Sequence, residues 1–348
     1  MKTLRGFVKI LIRTDLGQHH GMGHAVRMLA LARQLAAAGA EVSFVTSTPA
    51  LQGYVVPFRC VMRGGYWPQV PDVYVLDTKA MDDANDDRLL AQMRIHEPQS
   101  VFDSSHRPGS EHLKIVRIDH PAATPESCDL LIGPCAHWHE ATVARLQRSF
   151  GDRFLYGWNY VMLDPRVTEL PPVPRTGNSV RPIVFTAGGS DPTGALQRMY
   201  DWTITYSTET PLAFLVGSQS QMLNPRVGVS RAGCPVVASF DRSWIRSAGY
   251  LVTLFGVTCY EALWWQVPQS IFSHTPENAE AGAQLERMTE GCCRYQGDMT
   301  AHSATSLCEI LRRSLSPYRT TPCGDTPLAW VLDGRGLTRV AQAILALT

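Results

Sequence analysis

The stretch Phe7-Val8-Lys9-Ile10-Leu11-Ile12, followed by Gly21-Met22-Gly23-His24-Ala25-Val26-Arg27, decides how the chain is read. The first six residues form a short apolar run of the kind that becomes a buried strand. Beyond the glycines, Val26, Leu29, Leu31 and Leu35 recur at helical spacing until Gly39 ends the pattern, and Glu41 to Thr46 reads as the next strand. Strand, glycine-rich turn, helix and strand make one βαβ unit, which implies a parallel sheet with helices on its faces.

The same alternation continues outward. Val73 to Leu76, Ser100 to Phe102 and Leu130 to Ile132 are further short apolar strands, with a helix from Asp83 to Ile95. It pauses from Leu163 to Pro182, where Pro165, Pro171, Pro172, Pro174 and Pro182 stand with Gly177 and Asn178, a composition unsuited to helix or central strand. It resumes with strands at Ile183 to Thr186, Leu212 to Val216, Val236 to Ser239, Leu251 to Leu254 and Ser270 to Phe272. Helices are expected at Pro192 to Tyr206, Arg242 to Ser247, Cys259 to Trp265 and Glu277 to Met288. The expected organisation is a domain at 1–165, a proline-rich linker at 166–182 and a domain at 183–348, with the amphipathic stretch Leu337 to Leu347 packing back on one of them.

Composition agrees with two α/β domains. The chain has 348 residues, 45% hydrophobic and 18% charged, enough for two cores at roughly 100 to 200 residues per domain and too apolar for disorder. Lys plus Arg number 32 against 31 Asp plus Glu, so no global field gathers nucleic acid or an anionic membrane. The N-terminal apolar run is interrupted by Arg13 and Asp15, unlike a signal peptide, and no segment nears the roughly 20 apolar residues of a membrane helix. The expectation is a cytoplasmic protein with no membrane span and no nucleic-acid partner. The 9 cysteines are odd in number and lack any CxxC pair, which reads as reduced, mostly buried thiols.

Four segments carry chemistry. In the first, Gly21 and Gly23 let the backbone turn tightly at a helix start, where unpaired N–H groups favour an anion. The third glycine of a dinucleotide fingerprint is Val26 here, and His24 stands at the strand's carboxyl end, either as a base or as a cap of its helix. His19 and His20 flank it, but the only nearby carboxylate is Asp15, so no metal site is expected. In the second, Thr186-Ala187-Gly188-Gly189-Ser190-Asp191-Pro192 repeats the strand, turn and helix pattern without the lysine of a Walker loop. The third, Phe255-Gly256-Val257-Thr258-Cys259-Tyr260-Glu261, places a carboxylate in the first turns of an apolar helix, where it suits a vicinal diol or simply complements the dipole. The fourth is His274-Thr275-Pro276-Glu277-Asn278.

Together, GxGHxxR, GGSDP, GVTxxE and the Glu-Asn turn resemble the GT-B superfamily over about Ile10 to Arg287. Within it the chain looks most like the UDP-sugar hydrolases of pseudaminic acid biosynthesis, which release UDP from a 2,4-diacetamido-2,4,6-trideoxy sugar, and their spore-coat polysaccharide relatives. The stretch Leu155 to Leu163 adds to this likeness. More distantly it resembles the N-acetylglucosaminyltransferases of the peptidoglycan lipid precursor.

The resemblance implies two Rossmann-like domains with parallel sheets facing across a cleft. It implies His24 as the catalytic base with Asp15 near it, and Gly188, Gly189, Ser190, Gly256, Val257 and Thr258 around a diphosphate. Glu261 would meet the ribose, Phe240 and Asp241 the uracil, and Asn278 is the Asn of an Asn-Gln pair. Ala279 replaces that pair's Gln, and Lys79 stands where the hydrolases tend to carry a Tyr. The implied activity is hydrolysis of a UDP-sugar at the anomeric C–O bond with inversion, without cofactor or metal. The alternative is an inverting glycosyltransferase with the same donor and an unknown acceptor, approached past Met62 to Trp67 and Lys79. A third reading is a nucleotide-sugar-binding protein with a dead site.

Overall fold

The structure, a computed structural model, describes residues 7–16, 22–63, 71–78, 113–174, 180–203, 210–223, 235–289, 291–318 and 332–348. The expected helix at 83–95 and strand at 100–102 lie outside these residues, as do His19, His20, Gly21, Tyr66, Trp67, Lys79, Gly177 and Asn178.

Two parallel sheets carry the fold. The first has seven strands, β1 (Lys9–Thr14), β2 (Glu41–Thr46), β3 (Arg59–Met62), β4 (Val73–Asp77), β5 (Lys114–Ile118), β6 (Leu130–Gly133) and β7 (Phe154–Tyr156), in the order β3-β2-β1-β4-β5-β6-β7. The second has six, β8 (Ile183–Thr186), β9 (Leu212–Val216), β10 (Val236–Ser239), β11 (Tyr250–Leu254), β12 (Gln269–Ser273) and β13 (Cys293–Asp298), in the order β10-β9-β8-β11-β12-β13. Each order reverses beside its first strand, at β1/β4 and at β8/β11. Crossovers leave in opposite directions there and open a crevice at the strands' carboxyl ends, where ligands of such sheets bind.

The central strands are apolar because helices cover both faces: Ile10, Leu11 and Ile12 of β1 and Val73 to Leu76 of β4 are buried. Four strands lay beyond the expectation from sequence. β5 reads Lys-Ile-Val-Arg-Ile, and its two cations break the apolar run although Arg117 is buried. β3, β7 and β13 are edge strands, short or polar, which pairing to a neighbour defines more than composition does.

Between the sheets lies the proline-rich segment, described over 166–174 and 180–182. Pro165–Thr168 forms a short helix, with Asp164 Oδ1 accepting from Arg166 N at 2.9 Å. The Leu170 carbonyl accepts from the indoles of both Trp264 (3.4 Å) and Trp265 (3.1 Å), and the Pro171 carbonyl from Arg246 Nε (2.8 Å), so the segment is fastened to the second domain. The last helix, Gly336–Leu345, packs on the helix Gly23–Ala37 and buries Leu337, Val340, Ala341 and Ile344 among Ile10, Ile12, Met28 and Leu35 of the first domain.

Among the described residues, Cys60, Cys128, Cys135, Cys259, Cys293 and Cys308 are free thiols, whereas Cys292 is disulfide-bonded, which corrects the reading of all the thiols as reduced. No helix of the described residues is long and apolar enough to cross a membrane.

Candidate functional site

The crevice is built on two helix starts that meet. The helix Gly23–Ala37 has neither a side-chain cap nor an acidic residue in its first turn, and the same holds for the helix Val257–Trp264. A helix N-terminus in that state leaves unpaired N–H groups and a partial positive charge for an anion. Across the crevice Gly23 approaches Val257 so closely that a Cβ on it would stand 3.2 Å from Val257 Cγ2. Gly189 approaches Met22 still more closely: an added Cβ would overlap the Met22 Cβ and Cγ. Gly188 beside it has φ +84°, the left-handed region that glycine enters without cost, and its N–H donates to Thr186 Oγ1 at 3.1 Å.

The third helix start behaves differently from its expectation. The helix begins at Ala195 rather than near Pro192, and Asp191 accepts from Ala195 N (2.8 Å) and Leu196 N (2.9 Å). The Asp of GGSDP thus caps its own helix, and that terminus already holds an anion.

His24 follows Gly23 at the first domain's helix start, and its carboxylate partner is Asp77, at the end of β4. Nδ1 lies 2.7 Å from Asp77 Oδ1, with the imidazole 20% exposed and the carboxylate fully buried. Arg27, one turn along the same helix, donates from Nε to Asp77 Oδ2 (2.6 Å) and from Nη2 to Asp77 Oδ1, and from Nη1 to Asp119 Oδ2 (2.9 Å). Burial opposes ionisation of Asp77, but Arg27 and then His24 outweigh it and hold the carboxyl at about 2. Asp119 is also held below its ordinary value by Arg27 and His24 against burial, and it adopts φ 60°, a region Asp tolerates better than most residues.

Asp15 is placed elsewhere. Its Oδ1 accepts from Arg13 Nη1 (2.7 Å), Thr46 Oγ1 (2.8 Å) and Ser47 N (2.7 Å), facing β2 rather than His24. The expectation that Asp15 accompanies the histidine is corrected accordingly: the neighbouring strand end at β2 claims its carboxylate, and Asp77 takes that place.

The remaining expected residues fall into two groups. Gly23, His24, Gly188, Gly189, Gly256, Val257 and Thr258 converge at the crevice, with Ser190 half-buried in the same turn as Gly189. Glu261 is buried, and its Oε1 accepts from Arg242 Nε at 2.8 Å, yet burial still pushes its carboxyl up against the pull of Arg242. A diol would share that carboxylate with a guanidinium. Asp241 accepts from Ser243 N (2.8 Å) as a helix cap, and Phe240 N donates to Val216 O (2.8 Å). Asn278 N donates to Thr275 Oγ1 (3.2 Å) at a helix start, with its side chain 3.4 Å from His274 Nδ1.

Sequence reasoning passed over three members of the cluster. Asp77 reads only as the Asp that Val75-Leu76-Asp77-Thr78-Lys79 keeps of the hydrolase pattern, with no link to His24, Arg27 reads as the last letter of GxGHxxR, and Asp119 carries no signal. His24 and Arg27 stand at i and i+3 on one helix face, the one sign that could have tied Arg27 to the histidine.

No family model matches the chain, and no curated protein sequence matches it. Solved structures do, over nearly the whole length. The calicheamicin glycosyltransferase CalG4 is 16% identical with a TM-score of 0.60, covering 98% of each chain. The MurG protein of Acinetobacter baumannii is 12% identical with a TM-score of 0.59, over 98% of this chain and 100% of that one. Staphylococcus aureus MnaA, in a structure with UDP, is 12% identical with a TM-score of 0.58 over 98% of each. Identities this low speak to architecture alone, and the architecture is plain: two Rossmann-like domains of seven and six parallel strands facing across a cleft, the GT-B fold.

Proposed function

We propose that the protein is an inverting glycosyltransferase that takes a nucleotide-sugar, in the first instance a UDP-sugar, as donor. The observation that carries this reading is the His24–Asp77 pair set beside two uncapped helix starts. The fold neighbours support it: CalG4 is a glycosyltransferase by name, and MnaA is seen with UDP.

In this reading ionised Asp77 accepts a hydrogen bond from His24 Nδ1–H and leaves Nε2 to take a proton from an acceptor hydroxyl. The hydroxyl oxygen bonds to the anomeric carbon from the face opposite the diphosphate. The C1–O bond breaks, its electron pair goes to UDP, and the configuration inverts. The helix starts at Gly23 and Val257 stabilise the charge gathering on the diphosphate, which is where fixed dipoles help most. Ionised Asp77, set against Nδ1, faces the imidazolium that forms.

Hydrolysis, the activity implied first by the sequence resemblance, uses the same base with water as nucleophile. The fold neighbours favour transfer. The test is UDP release from a panel of UDP-sugars with and without candidate acceptors, in buffer containing EDTA. Release that depends on an acceptor supports the transferase, whereas release at about 1 to 1000 per second in buffer alone establishes the hydrolase.

A further inference from the structure

His137 lies in the segment that follows β6, at the same sheet edge as Asp77 at the end of β4 and Asp119 after β5. Here the two domains also touch through polar atoms. Tyr260, on the helix Val257–Trp264, has its hydroxyl 2.7 Å from His137 Nδ1 and accepts from Ala136 N at 3.1 Å. The His137 ring stands edge-on to Phe255, the residue before Gly256, with centroids 4.8 Å apart at 86°.

These contacts decide the imidazole's tautomer. Tyr260 is buried, and its hydroxyl has one proton to donate. If His137 Nδ1 carried a proton, the oxygen would accept from both Ala136 and His137, and the phenol proton would be left without an acceptor in a buried place, a costly arrangement. The phenol therefore donates to Nδ1, and the imidazole keeps its proton on Nε2. Burial and the nearby Arg27 outweigh the pull of Asp119 and lower this histidine to about 4, so at neutral pH it is an uncharged donor.

The position of that donor has a chemical meaning. His137 lies within electrostatic reach of Arg27 and Asp119, the cluster that holds His24, and touches the residue that precedes the diphosphate-facing helix start. In any displacement at an anomeric carbon the sugar occupies the space between the activated nucleophile and the leaving phosphate. We infer that His137 Nε2–H binds the transferred sugar, donating to a hydroxyl or amide carbonyl oxygen, and that Tyr260 acts as the positioning residue that fixes its tautomer. An uncharged donor suits an uncharged ligand group better than the diphosphate, which the helix starts receive.

This inference rests on the nucleotide-sugar reading, and the experiment separates the two. Dissociation constants are measured by calorimetry for UDP and dTDP alone and for UDP-N-acetylglucosamine, UDP-glucose and dTDP-glucose, on wild type, His137→Ala and His137→Gln. Gln restores an N–H donor near the position of Nε2 and guards against a merely structural loss. The expected result is a nucleotide constant within twofold of wild type in every variant. For the nucleotide-sugar that wild type prefers, binding falls about 3- to 10-fold in His137→Ala, the range for one neutral hydrogen bond, and recovers in His137→Gln. Equal weakening of nucleotide and nucleotide-sugar, or no weakening at all, overturns the role of His137 while leaving the donor reading intact. A wild type that binds none of the probes overturns the donor reading and this inference with it.

Discussion

At the scale of single residues the chemistry rests on one imidazole and the carboxylate behind it. His24→Ala is expected to lower turnover by about two to four orders of magnitude, the usual range for a positioned base. Donor affinity should stay within about twofold, since the helix starts and not the imidazole hold the diphosphate; steady-state kinetics and nucleotide titration check the two halves. Asp77 adds a stability signature. Its folded carboxyl is held at about 2 against an ordinary 3.8, so its contribution is fully present above the ordinary value and is lost as pH falls through about 2. The contribution is about 2 kcal/mol. Asp77→Asn should therefore be less stable than wild type at neutral pH and lose less stability between about pH 4 and pH 2, as urea unfolding at stepped pH will show. Equal slopes in that window would remove the buried ion pair from the account. The sequence marks His24 through the glycines around it, but the acid it offers beside the histidine is Asp15 and not Asp77. The choice between the two carboxylates depends on which neighbouring strand end each one faces.

At the scale of elements the decisive feature is the meeting of helix starts. Two of them, at Gly23 and Val257, are uncapped, and the one after the GGSDP turn is closed by Asp191. Local sequence marks each turn that leads into such a helix, but it set the third start at Pro192 instead of Ala195 and cannot show which terminus faces another. Gly189 allows the approach, because a methyl group there would overlap Met22. Gly189→Ala should oppose closure by about 1–3 kcal/mol, the usual cost of overpacking, seen as turnover lowered about 5- to 100-fold. Nucleotide binding should change much less. Combining it with Met22→Ala should restore most of the rate, and failure of that rescue would move the effect from the crevice to the turn itself. Several elements coincide with their sequence expectation: the strands Glu41–Thr46, Ile183–Thr186, Leu212–Val216 and Val236–Ser239, and the helix Arg242–Ser247. They are short runs whose period or apolarity is complete within themselves. β5 and β13 are not, since their polar residues make sense only beside β4 and β12.

At the scale of the whole molecule the chain returns to where it began. The helix Gly336–Leu345 buries Ile344 in the first domain's core, although it follows the second domain in sequence. Ile344→Ala should cost about 2–5 kcal/mol, as for other large-to-small core changes. Calorimetry should show the first domain melting earlier, and a change confined to the second domain would contradict this packing. The sequence by itself determines the alternation of strands and helices and the two glycine-rich turns, because strand, turn and helix signals act over a few residues. From these the two parallel sheets and the crevice between them follow. Only the tertiary structure decides that His24 pairs with Asp77, 53 residues away, and that Arg27 joins Asp119, 92 residues away. Those contacts come from the pairing of β1 with β4 and of β4 with β5, which brings the strand ends together. A side chain at a strand end takes its partner from the neighbouring strand, and the identity of that neighbour is a property of the sheet.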